Sequence, residues 1–245
     1  MSSLIRNAQG DLILGGSYTG YPEADSISGP LAYNSNAWIA YTDTNGIIIW
    51  QKVFGSKEFD NCSDLHTYND KVIAGGLFQD TLNFDAKQAI SESFMNAYIT
   101  SFDHEGKPDY VHCMGGKATI IRFKIAVNHE GLIYAAGQFN DSLRIGGHYI
   151  TKMGEQDLFI ATLNQNNTES AFALLKSYQP VTLADIHCND SLILLSGSFS
   201  DSLFVNDTAF APLGGKDAFA ALFDKTGKLI RFLQFGGEEN DEAYA

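Results

Sequence analysis

Four copies of one pattern run along this chain. Gly16-Ser17-Tyr18, Gly76-Leu77-Phe78, Gly137-Gln138-Phe139 and Gly197-Ser198-Phe199 open at positions 16, 76, 137 and 197, which lie 60, 61 and 60 residues apart. A period of this length, written in strand-forming residues, marks one propeller blade per copy. One blade cannot bury its own faces, so the copies must stack. The predicted fold class is all-β: a β-propeller of four blades of roughly 60 residues, either a closed four-bladed ring or a four-blade segment of a larger propeller. A single domain over 1–245 then holds blades at approximately 1–55, 61–116, 120–178 and 181–237, with 238–245 as a closing or next-blade strand.

Each copy predicts four strands. The first is short (Leu4 to Asn7, Ser63 to Tyr68, Lys124 to Asn128, Ala184 to Cys188). The second carries the glycines among β-branched and aromatic residues, which suit a half-buried pleated surface. The glycines themselves suit close backbone approach near a crowded axis. The third strand contains one aromatic per copy, Trp38, Tyr98, Phe159 and Phe219, read as packing between blades. Asp43, Asp103, Asn164 and Asp224 then open turns that close on Gly46, Gly106, Asn167 and Gly227. An Asp or Asn at the head bonds back to the turn, and the last residue supplies a left-handed backbone. The fourth strand ends at Phe54-Gly55, Met114-Gly115-Gly116 and Phe235-Gly236-Gly237. Leu175-Lys176-Ser177 replaces that landmark in the third copy and predicts a different loop there. Between strands two and three, alternation such as Leu82-Asn83-Phe84 with Gln88-Ala89-Ile90 predicts an accessory hairpin on copies two to four. The first copy breaks that pattern over Tyr21 to Leu31, and Tyr21, Glu23 and Asp25 are its candidate binding residues, because individual loops commonly carry function.

Asp217 to Gly227, followed by Phe235-Gly236-Gly237, resembles the SBBP-type β-propeller repeat of bacterial secreted and surface proteins; so does Gly131 to Phe139. The resemblance covers nearly the whole chain and implies a module exported to the medium or cell surface of a bacterium, with further blades or domains of the same parent chain as possible neighbours. It carries no catalytic residue. No secretory signal peptide opens the sequence.

The net charge of −13 argues against nucleic acid as a partner, because an acidic surface repels phosphates. No stretch is long and apolar enough for membrane insertion. Cys62, Cys113 and Cys188 are odd in number, fall at different repeat positions and form no CxxC, which points to buried free thiols. No GxSxG, HExxH, Walker or EF-hand pattern occurs.

Two positions hold candidate chemistry. Asp64 and His66 in the second copy match Asp185 and His187 in the fourth, each His ten residues before its glycine landmark. Residues two apart on a strand share a face. If strand one lines an axis, the pairs are axial binding candidates, with His66 and His187 as candidate ligands for a divalent metal. The plainer reading is polar side chains in a solvated channel, or a His bonded to its neighbouring Asp. Separately, Ser26, Thr81, Ser142, Ser191, Ser202 and Thr208 each follow an Asp and precede an apolar residue. An Asp-Ser pair caps a turn; the triplets also resemble the acceptor of bacterial protein O-glycosylation.

The sequence thus favours a non-enzymatic recognition module for a protein or glycan ligand, needing no cofactor. A glycan-active enzyme with axial carboxylates and a structural spacer in a larger surface protein are the competing readings.

Overall fold

The computed structural model describes residues 2–84, 87–164 and 168–244 apart from 21–31. It divides into two compact units, Met1–Gly116 and Lys117–Ala245. The described residues form antiparallel sheets and no helix.

In the first unit, copy one folds as β1 (Ser3–Arg6), β2 (Leu12–Gly20), β3 (Ala32–Thr42) and β4 (Ile48–Phe54), in that order across one sheet. Copy two supplies β5 (Asp64–Tyr68), β6 (Lys71–Phe78), the hairpin β7 (Thr81–Phe84) with β8 (Lys87–Ile90), β9 (Asn96–Phe102) and β10 (Pro108–Met114). Its main sheet runs β5-β6-β9-β10, and the hairpin stands apart as a two-stranded sheet.

In the second unit, copy three consists of β11 (Thr119–Val127), β12 (Ile133–Asn140), the hairpin β13 (Ser142–Ile145) with β14 (His148–Thr151), β15 (Asp157–Leu163) and β16 (Glu169–Lys176). Copy four consists of β17 (Thr182–Cys188), β18 (Leu192–Phe199), the hairpin β19 (Leu203–Val205) with β20 (Thr208–Phe210), β21 (Asp217–Asp224) and β22 (Leu229–Phe235). The same four-strand meander therefore occurs four times, and the accessory hairpin occurs in copies two, three and four.

The third copy departs where its landmark glycines are missing. Gly115 and Gly116 adopt φ of 129° and 61° and turn the chain after β10. With Lys176 instead, β16 stays extended and pairs with β19 through Leu175–Val205 and Lys176–Phe204, which produces a six-stranded sheet. In the first unit the equivalent approach is only the bridge between Gly55 and Asn83, supported by the Phe54 and Phe84 rings at 4.3 Å.

The repeated glycine of strand two has a specific cause. Gly16, Gly76, Gly137 and Gly197 sit directly across the ladder from Trp38, Tyr98, Phe159 and Phe219. A Cβ at Gly137 would lie 2.6 Å from Phe159 Cζ, and one at Gly76 would lie 2.7 Å from Tyr98 Cε1. At Gly137 the Phe159 ring alone is the obstacle, while at Gly76 and Gly197 a backbone carbonyl, of Asn61 or Thr182, crowds the glycine together with the ring. Tyr98, Phe159 and Phe219 are buried. Each unit closes on its own core: Ile13, Ile39, Leu65, Ala74, Phe78 and Phe102 in the first; Ile160, Leu183, Ile193, Leu195, Phe199 and Phe223 in the second.

The turns after strand three follow the pattern expected of them. Asp43 Oδ1 accepts from the N–H groups of Asn45 and Ile47, Asp103 Oδ1 from Glu105 and Lys107, and Asp224 Oδ1 from Thr226 and Lys228. Gly46, Gly106 and Gly227 take φ near 80°. The backbone bond from Ile47 is the main influence holding the Asp43 carboxyl below its ordinary range, and that from Lys107 acts likewise on Asp103. Asn167 lies outside the described residues.

All three cysteines are free, but only Cys62 is buried. Burial pushes its thiol well above the ordinary range. Cys113 and Cys188 are half-buried, because each ends near a sheet margin rather than in a core.

Candidate functional site

Some polar residues that look available for chemistry hold the sheets together instead. Two residues before the aromatic column stand Asn36, Asn96, Asp157 and Asp217, all essentially inaccessible. Three of them make the same bond. Asn96 Oδ1 accepts from Glu92 N–H, Asp157 Oδ2 from Met153 N–H and Asp217 Oδ2 from Leu213 N–H, each four residues back. Their second contacts tie down the far side of the sheet: Asn96 Nδ2 donates to Gly116 O, Ser177 N–H donates to Asp157 Oδ1, and Gln234 Nε2 donates to Asp217 Oδ2. A Cβ at Gly236 would lie 2.5 Å from Asp217 Cγ, which accounts for the glycine there. The sequence signal was an Asn or Asp recurring at a strand position where such residues are depleted.

Asp60 is a second inaccessible carboxyl. Ser56 N–H donates to Oδ2 at 2.6 Å and Ser56 Oγ at 2.9 Å. Oδ1 has no partner among the described residues. Burial outweighs these bonds and lifts the group to about 7.

The Asp-x-His pairs differ from one another. In the second unit His187 Nε2 lies 2.9 Å from Asp185 Oδ2, with the His side chain 73% exposed. The shared face expected on a strand is present here, as a His bonded to its neighbouring Asp. In the first unit Asp64 is buried, its Oδ1 accepts from Leu65 N–H, and His66 is half-buried. No group of three or more His, Cys, Asp or Glu able to hold a metal occurs among the described residues.

The Asp-Ser/Thr triplets head the accessory hairpins. Ser142 N–H donates to Asp141 Oδ1 and Ser202 N–H to Asp201 Oδ1, while Thr81 Oγ1 donates to Asp80 Oδ1. Asp80 and Asp141 adopt φ of 56° and 64°, a conformation that Asp tolerates better than most residues. Thr208 and Ser191 are exposed. Tyr21, Glu23, Asp25 and Ser26 lie outside the described residues.

A concave site lies within the first unit, at the turn ends of its two main sheets. A cleft of about 560 Å³ is walled by Asn7 and Gln9 from the β1–β2 turn, Tyr41 at the end of β3, Tyr68 to Lys71 from the β5–β6 turn, and His104. Its volume falls within the range typical of small-ligand sites. Tyr41 is held in place by a polar trio. Its hydroxyl donates to Asp11 Oδ2 at 2.9 Å and accepts from Asn7 Nδ2 at 2.7 Å. Asn7 Oδ1 accepts from Asp11 N–H, which closes the network. The Tyr41 ring stacks on Trp50 at 5.6 Å. Burial, together with the bond to Asp11, pushes the phenol up to about 12. On the opposite wall Asn69 and Asp70 both take positive φ, and Lys71 Nζ lies 2.6 Å from Asp109 Oδ2. Gln9 Nε2 reaches Asp70 Oδ1 at 3.4 Å between the walls.

The trio is peculiar to the first copy. At the position of Asp11 the other copies carry Lys71, Leu132 and Leu192; at that of Tyr41 they carry Ser101, Thr162 and Leu222. Sequence reading passed over both residues because neither belongs to a recognisable motif. The usable signal was that two departures from the repeat fall at the β1–β2 turn and near the end of the neighbouring β3.

Comparison of the chain with protein-family models gives no match, and neither does comparison with curated proteins.

Proposed function

We propose that the chain is a non-enzymatic recognition module, a four-bladed β-propeller of the SBBP-repeat kind displayed outside a bacterial cell, that binds a glycan or protein ligand at a turn-lined face. The observation that carries this reading is the division of labour among polar residues. Those shared by the copies serve local geometry: the turn aspartates, the buried Asn/Asp column and the hairpin-head aspartates. The coordinated departure, Asp11 with Tyr41, stands behind the cleft of the first unit. A repeat scaffold with a coordinated departure beside a cleft is suited to binding, since loops and turns on a fixed frame are where specificity varies.

The test uses the labelled chain on arrays of bacterial and host glycans and, in parallel, of envelope proteins. Saturable binding to a member of either array, with no new reducing ends released from bound glycans, is the expected result. Glycan cleavage would replace this reading with an enzyme, and silence on both arrays would leave a structural spacer.

A further inference from the structure

We infer that the cleft of the first unit is a binding site for a neutral hexopyranose, the terminal or internal sugar of a glycan; this rests on the recognition reading above and narrows it. The argument starts from what the walls offer. Tyr41 and Tyr68 are among the lining residues, and aromatic rings suit the apolar C–H face of a pyranose. Asn69, Asp70 and Gln9 line the rim with amide and carboxylate groups, Gln9 Nε2 already reaching Asp70 Oδ1, while the Asn7 amide is taken up by Asp11 and Tyr41. A sugar hydroxyl is at once donor and acceptor, so such a mixture can be matched around a ring without a charged ligand. Lys71 is engaged by Asp109, and Asp70 accepts from Gln9 Nε2, so neither wall carries a bare cation for an anionic ligand.

The second line of argument is the fixed orientation of Tyr41. Its hydroxyl donates to Asp11 and accepts from Asn7, which leaves one lone pair to accept from a ligand. The Trp50 stack fixes the ring plane. The phenol remains protonated throughout the physiological range, so this geometry does not change with pH. A preorganised aromatic side chain costs little conformational entropy on binding. Asp11 acts through Tyr41 and is a positioning residue.

The third is the contrast with the second unit. There the equivalent turns also meet, with His129 N–H donating to Asp190 Oδ1 as Gln9 does to Asp70 in the first unit, and at the same separation of 61 residues. At the Asp11 position, however, Leu132 replaces the acid, and Asn128 Oδ1 is taken up by the N–H groups of Glu130 and Leu132. The same fold position thus lacks the oriented tyrosine and supplies an internal control.

Saturation-transfer NMR on the full chain with methyl β-glucoside, methyl β-galactoside, methyl α-mannoside and N-acetylglucosamine tests the inference. Transfer to at least one of these four sugars is expected. Tyr41→Phe keeps the Trp50 stack and removes one hydroxyl, and should weaken binding about threefold to tenfold, the effect of one hydrogen bond. Asp70→Asn, which tolerates the same backbone, should weaken it by a similar factor, while Asp190→Asn in the second unit should leave it unchanged. The inference is overturned if none of the four sugars receives saturation, or if wild type, Tyr41→Phe and Asp70→Asn bind equally. Sugar binding that survives both cleft variants removes the cleft and keeps the recognition reading. The same holds if all four sugars fail and an envelope protein binds.

Discussion

Replacing Gly137 by Ala should cost stability through one identifiable contact. The three nearest atoms to the added Cβ all belong to the Phe159 ring, with Cζ at 2.6 Å. Phe159 is fully buried and packs against Phe139 at 6.0 Å, so the ring has little room to retreat. Forcing a methyl into such a site costs about 1–3 kcal/mol. The change also relieves the entropy cost of glycine in a strand, a gain of about 0.5–1 kcal/mol. The net loss should be about 1 kcal/mol. In a Phe159→Leu background the strain disappears and only the gain remains, so the same Gly→Ala change should become neutral or favourable. Urea unfolding followed by far-UV circular dichroism of the four proteins gives the coupling energy, expected near the strain term. Gly237→Ala, with nothing within 4 Å of its Cβ, serves as control and should fall within about 0.5 kcal/mol of wild type. Additivity of the two changes within about 0.5 kcal/mol would refute the claim that the Phe159 ring is the obstacle at Gly137.

The protonated form of Asp60 should stabilise the first unit at low pH. Its folded value near 7 lies above the ordinary 3.8, so the folded state binds the proton more tightly; the contribution is complete below about 3.8 and disappears as pH rises through 7. The difference amounts to at most about 4 kcal/mol. Asp60→Asn should therefore gain stability relative to wild type between pH 5 and pH 8, read from urea midpoints at each pH; parallel profiles would contradict the burial argument. Asp157→Ala strips the Ser177 and Met153 N–H groups of their acceptor and should cost about 1–3 kcal/mol in urea unfolding. Asp157→Asn should cost less, since Asn occupies the same position in the first two copies, and equal losses for the two variants would count against the proposed role.

The repeat made the strands legible because period, turn chemistry and strand composition agree in every copy. It also located the accessory hairpins and the changed connection after Lys176. Four features were not legible, for different reasons. The buried Asn/Asp column reads in one dimension like any solvent-facing polar position; only cross-sheet partners such as Ser177 and Gly116 reveal its burial. The repeated glycines do admit close backbone approach, from the Asn61 and Thr182 carbonyls over Gly76 and Gly197, but the ring across the ladder that also crowds them is a relation set by register. The Asp-x-His positions align in sequence yet differ locally: Ala184 bulges out of the β17–β18 pairing just before Asp185, while β5 pairs with β6 without interruption. The trio of Asn7, Asp11 and Tyr41 spans a turn and a strand brought together only by folding.

The most direct measurement converts the first copy toward the third at the two departing positions. Asp11→Leu together with Tyr41→Thr should preserve the sheet signature in circular dichroism, because the third copy folds into the same meander with those residues. Sugar binding by saturation-transfer NMR should be lost. A folded double variant that still binds sugar as wild type does would contradict the claim that shared residues build the frame and divergent ones carry recognition.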